Sequence, residues 1–293
     1  MTNKKDILLL YFLLLIEVFI LMNSKLVINS VIKSSNMFVF KIFPSLLPTM
    51  TLGLLLVKLK VHKIIPKLIK KVFNVLFNFD DVTTSIFICS MICGSPSNAS
   101  FINEYLNKGL ISEKTAENLL CCTHFINPLF VIGTVGIGTF NSSKIGIIIL
   151  LMTYLSNFVK AFILRNEFSN VNNTADDIKS DYETFINVFK SVIKTSMSQL
   201  LVILEIVILF NMLISLLGSI FNISYNVQSI INIILEMTGG ITKIKYLQIS
   251  NIAKIILSYY ALSFGGLCIW MQTMSMITNK KIKYFKYFIF RLF

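Results

Sequence analysis

Charge is scarce in this chain, and acid is the scarcer sign. Only 14% of residues are charged, with 14 Asp and Glu against 27 Lys and Arg. Soluble domains carry roughly 25% charged residues, so a soluble globular fold is excluded. Histidine occurs twice, and none of the five cysteines forms a CxxC pair. That excludes the usual zinc-site spacings and implies no disulfide framework. Cys89 and Cys93 lie one helical turn apart, but cysteine in an apolar run reads as a small hydrophobe. There is no GxSxG, no HExxH, no P-loop and no acid pair at catalytic spacing, so neither an enzyme nor a cofactor is expected.

What remains is apolar. Hydrophobic residues make up 55% of the chain and the mean hydropathy is +0.76. The pattern predicts an all-α polytopic membrane protein forming a single membrane domain over 1–293. About seven or eight spans fit, at about 20 residues each, with broken or re-entrant helices. The net charge of +13 reads as lysines flanking spans and meeting anionic lipid, not as a nucleic-acid surface. The bilayer is the expected partner.

Ile7–Met22 reads as a retained first span, without a small-residue cleavage site. A segment with Lys25, Lys33 and Lys41 is expected along the interface. Pro44 and Pro48, four apart, should then break or kink a helix. Lys58–Lys71 interleaves lysines with apolar residues at helical spacing and predicts an amphipathic interfacial helix, cytoplasmic by the positive-inside rule. Gly109 reads as a helix stop and Ser112 as the next N-cap. Spans are expected at 145–164 and 197–217. The basic, aromatic tail from Lys280 is expected on the cytoplasmic surface, and the acidic 166–184 loop on the opposite side. The loop divides a first half, 40–165, from a second, 185–280.

The most informative segment is Cys93-Gly-Ser-Pro-Ser-Asn-Ala-Ser100, a helix-breaking polar stretch inside an apolar run. Lipid offers no partner to free backbone groups, so such a break belongs in protein or beside a cavity. Broken helices of this kind mark transporter binding sites. Two more are expected, at Glu236-Met-Thr-Gly-Gly240 and Ser263-Phe-Gly-Gly-Leu267, which suggests an inverted repeat. The candidate substrate-binding residues are Gly94, Ser95, Ser97, Asn98, Asn127, Thr238, Gly239, Ser263, Gly265 and Gly266. A half-helix N-terminus with hydroxyl neighbours suits a small polar or anionic solute. Glu205 and Glu236 are candidates to hold a coupling proton or cation, or to cap backbone donors. His124 reads either as a proton relay or as a hydrogen-bonded structural group.

Several motifs occur together and in order. They are Phe43-Pro-Ser-Leu-Leu-Pro, Cys93-Gly-Ser-Pro-Ser-Asn-Ala, Lys108-Gly-Leu-Ile-Ser, Thr123-His-Phe-Ile-Asn-Pro-Leu-Phe-Val-Ile-Gly-Thr-Val, Leu235-Glu-Met-Thr-Gly-Gly and Leu262-Ser-Phe-Gly-Gly-Leu. Over roughly 40–280 the chain resembles the sporulation integral membrane protein family called YlbJ or SpoVV. That family belongs to a wider group with a nucleoside-recognition, or Gate, domain. The resemblance implies a role in endospore formation, in the outer forespore membrane, and passage of dipicolinic acid, a small planar dianion. Other sporulation membrane proteins are implied as partners. A non-transporting scaffold in spore assembly and a nucleoside-type carrier are the alternatives.

Overall fold

The computed structural model describes residues 4–168, 184–221 and 225–292, and is helical with no strand among them. In chain order the helices are α1 (Lys4–Met22), α2 (Ser24–Met37), α3 (Phe43–Lys58), α4 (Lys67–Phe77), α5 (Asp81–Cys93), α6 (Ser97–Asn107), α7 (Glu113–Cys122) and α8 (Phe130–Phe140). They continue as α9 (Ser143–Ile163), α10 (Phe185–Phe221), α11 (Tyr225–Leu235), α12 (Met237–Ile244), α13 (Asn251–Phe264), α14 (Gly266–Met276) and α15 (Phe285–Arg291).

Four segments are long and apolar enough to cross a membrane: Ser24–Lys58, α9, α10 and Asn251–Met276. A fifth is reached if α4 and α5, bent by 95°, count as one broken span. Seven or eight spans are therefore not seen. Much of the remaining apolar sequence folds as half-length helices. An 11-residue helix such as α6 or α11 is about 16 Å long, roughly half the hydrocarbon thickness.

Two expected boundaries move. The lysine-bearing 24–41 segment is not a separate interfacial piece. It runs through a π-helical turn at Phe38–Ile42 into α3, so the prolines bend the helix without ending it. Side-chain hydroxyls beside the prolines bond back to the helix: Ser45 Oγ donates to Ile42 O (2.8 Å) and Thr49 Oγ1 to Ser45 O (3.0 Å). The basic surface helix begins at Lys67, after Pro66, rather than at Lys58. The Gly109 stop and Ser112 cap are as expected. Gly109 has φ +68°, and Ser112 Oγ accepts from Thr115 N at 3.1 Å.

The opposed placement of the acidic loop and the basic tail also changes. Lys286 Nζ pairs with Glu167 Oε2 at 2.7 Å, and Asn78 Nδ2, just past α4, donates to Phe168 O at 3.1 Å. The start of the loop thus lies beside both lysine-rich segments. Acids have little weight in setting topology, and here complementary charge brings Glu167 to the tail. Residues 169–183 of the loop lie outside the described residues.

One core packs α3, α5, α6 and α7 around Met50, Ile86, Phe87, Phe101 and Leu119, all fully buried. A second packs α8, α9, α12 and α13 around Val131, Ile149, Ile241 and Ala261. Gly136 and Gly146 let α8 and α9 touch backbone to backbone, since a Cβ on Gly136 would sit 2.8 Å from Gly146 Cα. Close approach through small residues is a common way for membrane helices to associate. By contrast α1 leans on α2 and leaves Leu8, Tyr11, Phe12 and Leu15 exposed.

Candidate functional site

Four helix breaks converge at the centre, and they stack in pairs. In the first half, the break between α5 and α6 lies on the extended 123–127 segment between α7 and α8. Gly94 has φ +77°, and a Cβ there would lie 2.7 Å from Asn127 Cα and 2.9 Å from Ile126 C. Only glycine permits both the dihedral and that approach. Ser95 N donates across the crossing to Phe125 O at 2.6 Å. Asn127 uses its whole amide. Nδ2 donates to Ser45 O (3.1 Å), Thr49 Oγ1 (2.8 Å) and Cys93 O (3.1 Å), while Oδ1 accepts from Leu129 N (2.9 Å) and Phe130 N (3.3 Å). It caps α8 and ties α3 to the end of α5.

In the second half the break between α13 and α14 lies on the break between α11 and α12. A Cβ on Gly266, φ +71°, would meet Leu235 O at 3.1 Å and Met237 N at 3.2 Å. Glu236 caps α12, accepting from Thr238 N through Oε1 (2.9 Å) and from Gly239 N through Oε2 (2.6 Å). The break is thus at Glu236 itself, while Gly239 and Gly240 are helical. Gly240 serves packing, for a Cβ there would meet Ile233 N at 2.7 Å. Likewise Ser263 lies inside α13, and the chain turns at Gly265, φ +77°.

A cavity of about 40 Å³ lies where the pairs meet. Its polar wall includes Ser45, Ser95, Asn127, Glu236, Thr238 and Gln272, and Ile203 and Val207 of α10 close it. That volume holds two or three waters, so a larger solute enters only if the elements part. Beside it is a wider polar recess of about 650 Å³, lined in part by Lys33, Lys41, Asn211, Asn232, Gly239 and Lys243. Glu236 stands between the two spaces. It lines the cavity, and Asn211 and Gly239, which contact its Oε2 (Asn211 Nδ2 at 3.5 Å), line the recess. Ser30 and Ser215 also line the recess and bond to each other at 3.1 Å. They lie on the half of α10 away from the Lys58–Ser191 contact, so the recess opens opposite the lysine-rich surface.

Of the expected residues, Ser95, Asn127, Glu236 and Thr238 share the cavity and Gly239 faces the recess. Ser97 and Asn98 are fully buried beside it rather than lining it. Asn98 Nδ2 donates to Thr123 Oγ1 at 3.0 Å, and neither Ser97 Oγ nor Asn98 Oδ1 has a partner within the protein. Gly94, Gly265 and Gly266 form the crossings. Glu205 is exposed on the flank of α10 away from Ile203 and Val207 and does not reach the cavity. The His124 ring is 3% exposed, and neither ring nitrogen has a protein partner, although its carbonyl accepts from Asn157 Nδ2 at 2.8 Å. Asn211, Gln272 and Arg291 escaped the sequence reading. The first two are amides inside apolar helices, a usable signal. Arg291 was hidden in a tail that reads as surface.

The apolar segments and the packed, broken helices define an integral membrane protein. The chain is 29% identical over 125 residues, 43% of its length, to the sporulation integral membrane protein YlbJ of Bacillus subtilis (strain 168). The match covers 31% of that protein. No family model matches the chain, and no solved structure matches it.

Proposed function

We propose that the chain is a sporulation membrane transporter of a small anionic solute, dipicolinic acid, across the outer forespore membrane. The observation that supports this best is the joining of two spaces at Glu236. A recess bearing three lysines gathers anions from one side. The four-break centre beyond it presents helix N-termini, where partial positive charge favours them. Glu236 between them opposes an anion while ionised and admits it when protonated, which makes it the coupling group. The resemblance to the sporulation integral membrane protein family, which implies passage of dipicolinic acid, supplies the solute. The two break pairs act as the moving halves of an inverted repeat, opening the small cavity in turn to each side.

The test is uptake of labelled dipicolinate into proteoliposomes holding the full chain, with and without a pH gradient. Uptake driven by the gradient and lost in Glu236→Gln is expected. Absence of uptake in a folded, inserted preparation overturns the reading. The exposed α1 favours a second reading, a scaffold in spore assembly. Its apolar surface is presented to lipid or to another membrane protein. Normal dipicolinate content in spores lacking the chain, together with loss of a membrane partner, would favour that reading.

A further inference from the structure

We propose that Arg291, with the first turn of α14 and the indole of Trp270, binds one carboxylate group of a small solute at a site separate from the Glu236 cavity. Arg291 enters from α15 and is 4% exposed. Its Nε and Nη2 donate to Phe264 O, at 3.2 and 2.5 Å, and Nη1 has no partner within the protein. No carboxylate among the described residues pairs with it; its other neighbour is the Tyr287 ring, 5.6 Å away. A buried guanidinium without a counter-charge is unfavourable by several kcal/mol. One carbonyl and the C-terminal end of α13 offset only part of that.

Two donors near it, Arg291 Nη1 and Trp270 Nε1, are left without acceptors. Arg291 shares a pocket of about 10 Å³ with Gly266, Leu267 and Trp270. Gly266 and Leu267 open α14, an 11-residue helix whose N-cap, Gly265, offers no side chain. Trp270 Nε1 is buried without a partner. On the far side of the same turn, His124 Nε2 lies 3.4 Å from where a Gly265 Cβ would be, and Arg291 Nη2 lies 2.5 Å from that point. Phe264 O takes two of the Arg291 donors, and the donors left over, Arg291 Nη1 and Trp270 Nε1, call for an anionic oxygen. The pocket admits about one atom the size of a water oxygen, and the Trp270 and Phe288 rings flank it, their centroids 5.8 Å apart. The pocket is too small for a tetrahedral phosphate, whereas a carboxylate can place one oxygen in it, and guanidinium suits a carboxylate.

The inference does not depend on transport. The experiment is thermal unfolding of the full chain in phosphatidylcholine nanodiscs, titrated with sodium acetate, chloride or phosphate at equal ionic strength. Acetate should raise the unfolding temperature saturably, chloride, which fits the pocket but makes weaker hydrogen bonds, should do so less, and phosphate should not. Arg291→Gln should abolish the rise. Trp270→Phe keeps the ring and removes the donor, and should weaken apparent acetate affinity about tenfold; it decides the matter should Arg291→Gln fail to fold. Glu236→Gln should leave the titration unchanged, whatever it does to uptake. An acetate effect shared equally by all three anions, absent altogether, or untouched by either Arg291→Gln or Trp270→Phe would overturn the site.

Discussion

In the first half Gly94 stacks on Asn127, an uncharged cap; in the second Gly266 stacks on Glu236, a cap that carries an acid. Both caps hold the backbone N–H groups two and three residues ahead. They differ in everything else. Asn127 spends its remaining donors on α3 and α5, and the Gly94 crossing is the tighter one. Glu236 leaves the first core alone, lines the small cavity and touches Asn211 and Gly239, which line the recess. The first crossing is the more heavily cross-bonded of the two, and the second carries the acid that the proposed transport reading uses. The first pair braces the molecule, and the second holds the titratable group.

Mutations at equivalent places should break that symmetry. The largest effect is expected at Gly94→Ala, which forces a Cβ into backbone at a left-handed dihedral and should destabilise by about 3 kcal/mol or more. Gly266→Ala, where the contacts are 3.1–3.2 Å, should lose about 1–2 kcal/mol. Unfolding in detergent would rank them, and equal losses would remove the distinction. Next, Asn127→Leu strands carbonyls and N–H groups in the core and should lose about 3 kcal/mol. Glu236→Gln turns an amide NH2 toward one of the capped N–H groups and should lose about 1–2 kcal/mol, less than Asn127→Leu, and act on uptake as well. Stability and uptake measured side by side would show whether the two caps divide in this way.

Acid should loosen the first half before the second, because His62 lies there. His62, between α3 and α4 and 3.1 Å from Tyr105 Oη, is held down to about 4 by burial and by nearby lysines. Its neutral form is therefore the folded one. The stability it protects is intact above about pH 6.5 and falls as the unfolded chain takes up a proton below that, by about 1 kcal/mol per pH unit down to about 4. Hydrogen exchange should open α6 ahead of α14 across that window, and the reverse order would refute the assignment. The smallest effect is at Glu205→Gln. It lies outside both pairs and should leave uptake unchanged and stability within about 0.5 kcal/mol.

The places where helices break were legible in the sequence, though not always to the residue. Gly94-Ser-Pro96 and Gly265-Gly266 announced themselves because glycine and proline act on their own backbone. Glu236 is legible as a cap, but the run Glu236-Met-Thr-Gly-Gly240 reads as one break, whereas only its first residue breaks the helix and Gly240 serves close packing inside α12. Glu205 looked central because it lies mid-span. Which side of α10 it occupies depends on partners far away in the chain.

Composition alone determined that this chain is an all-helical membrane protein, because so few charges leave no soluble surface to build. Local chemistry determined the stops and caps, since a dihedral or a freed N–H is settled within one turn of helix. Only the tertiary structure decided that Gly94 rests on Asn127 and Gly266 on Glu236, that Glu167 meets the basic tail, and that Arg291 leaves that tail to reach Phe264. Those pairings join residues tens to more than a hundred positions apart, and they follow from packing among helices whose individual patterns carry no record of their neighbours.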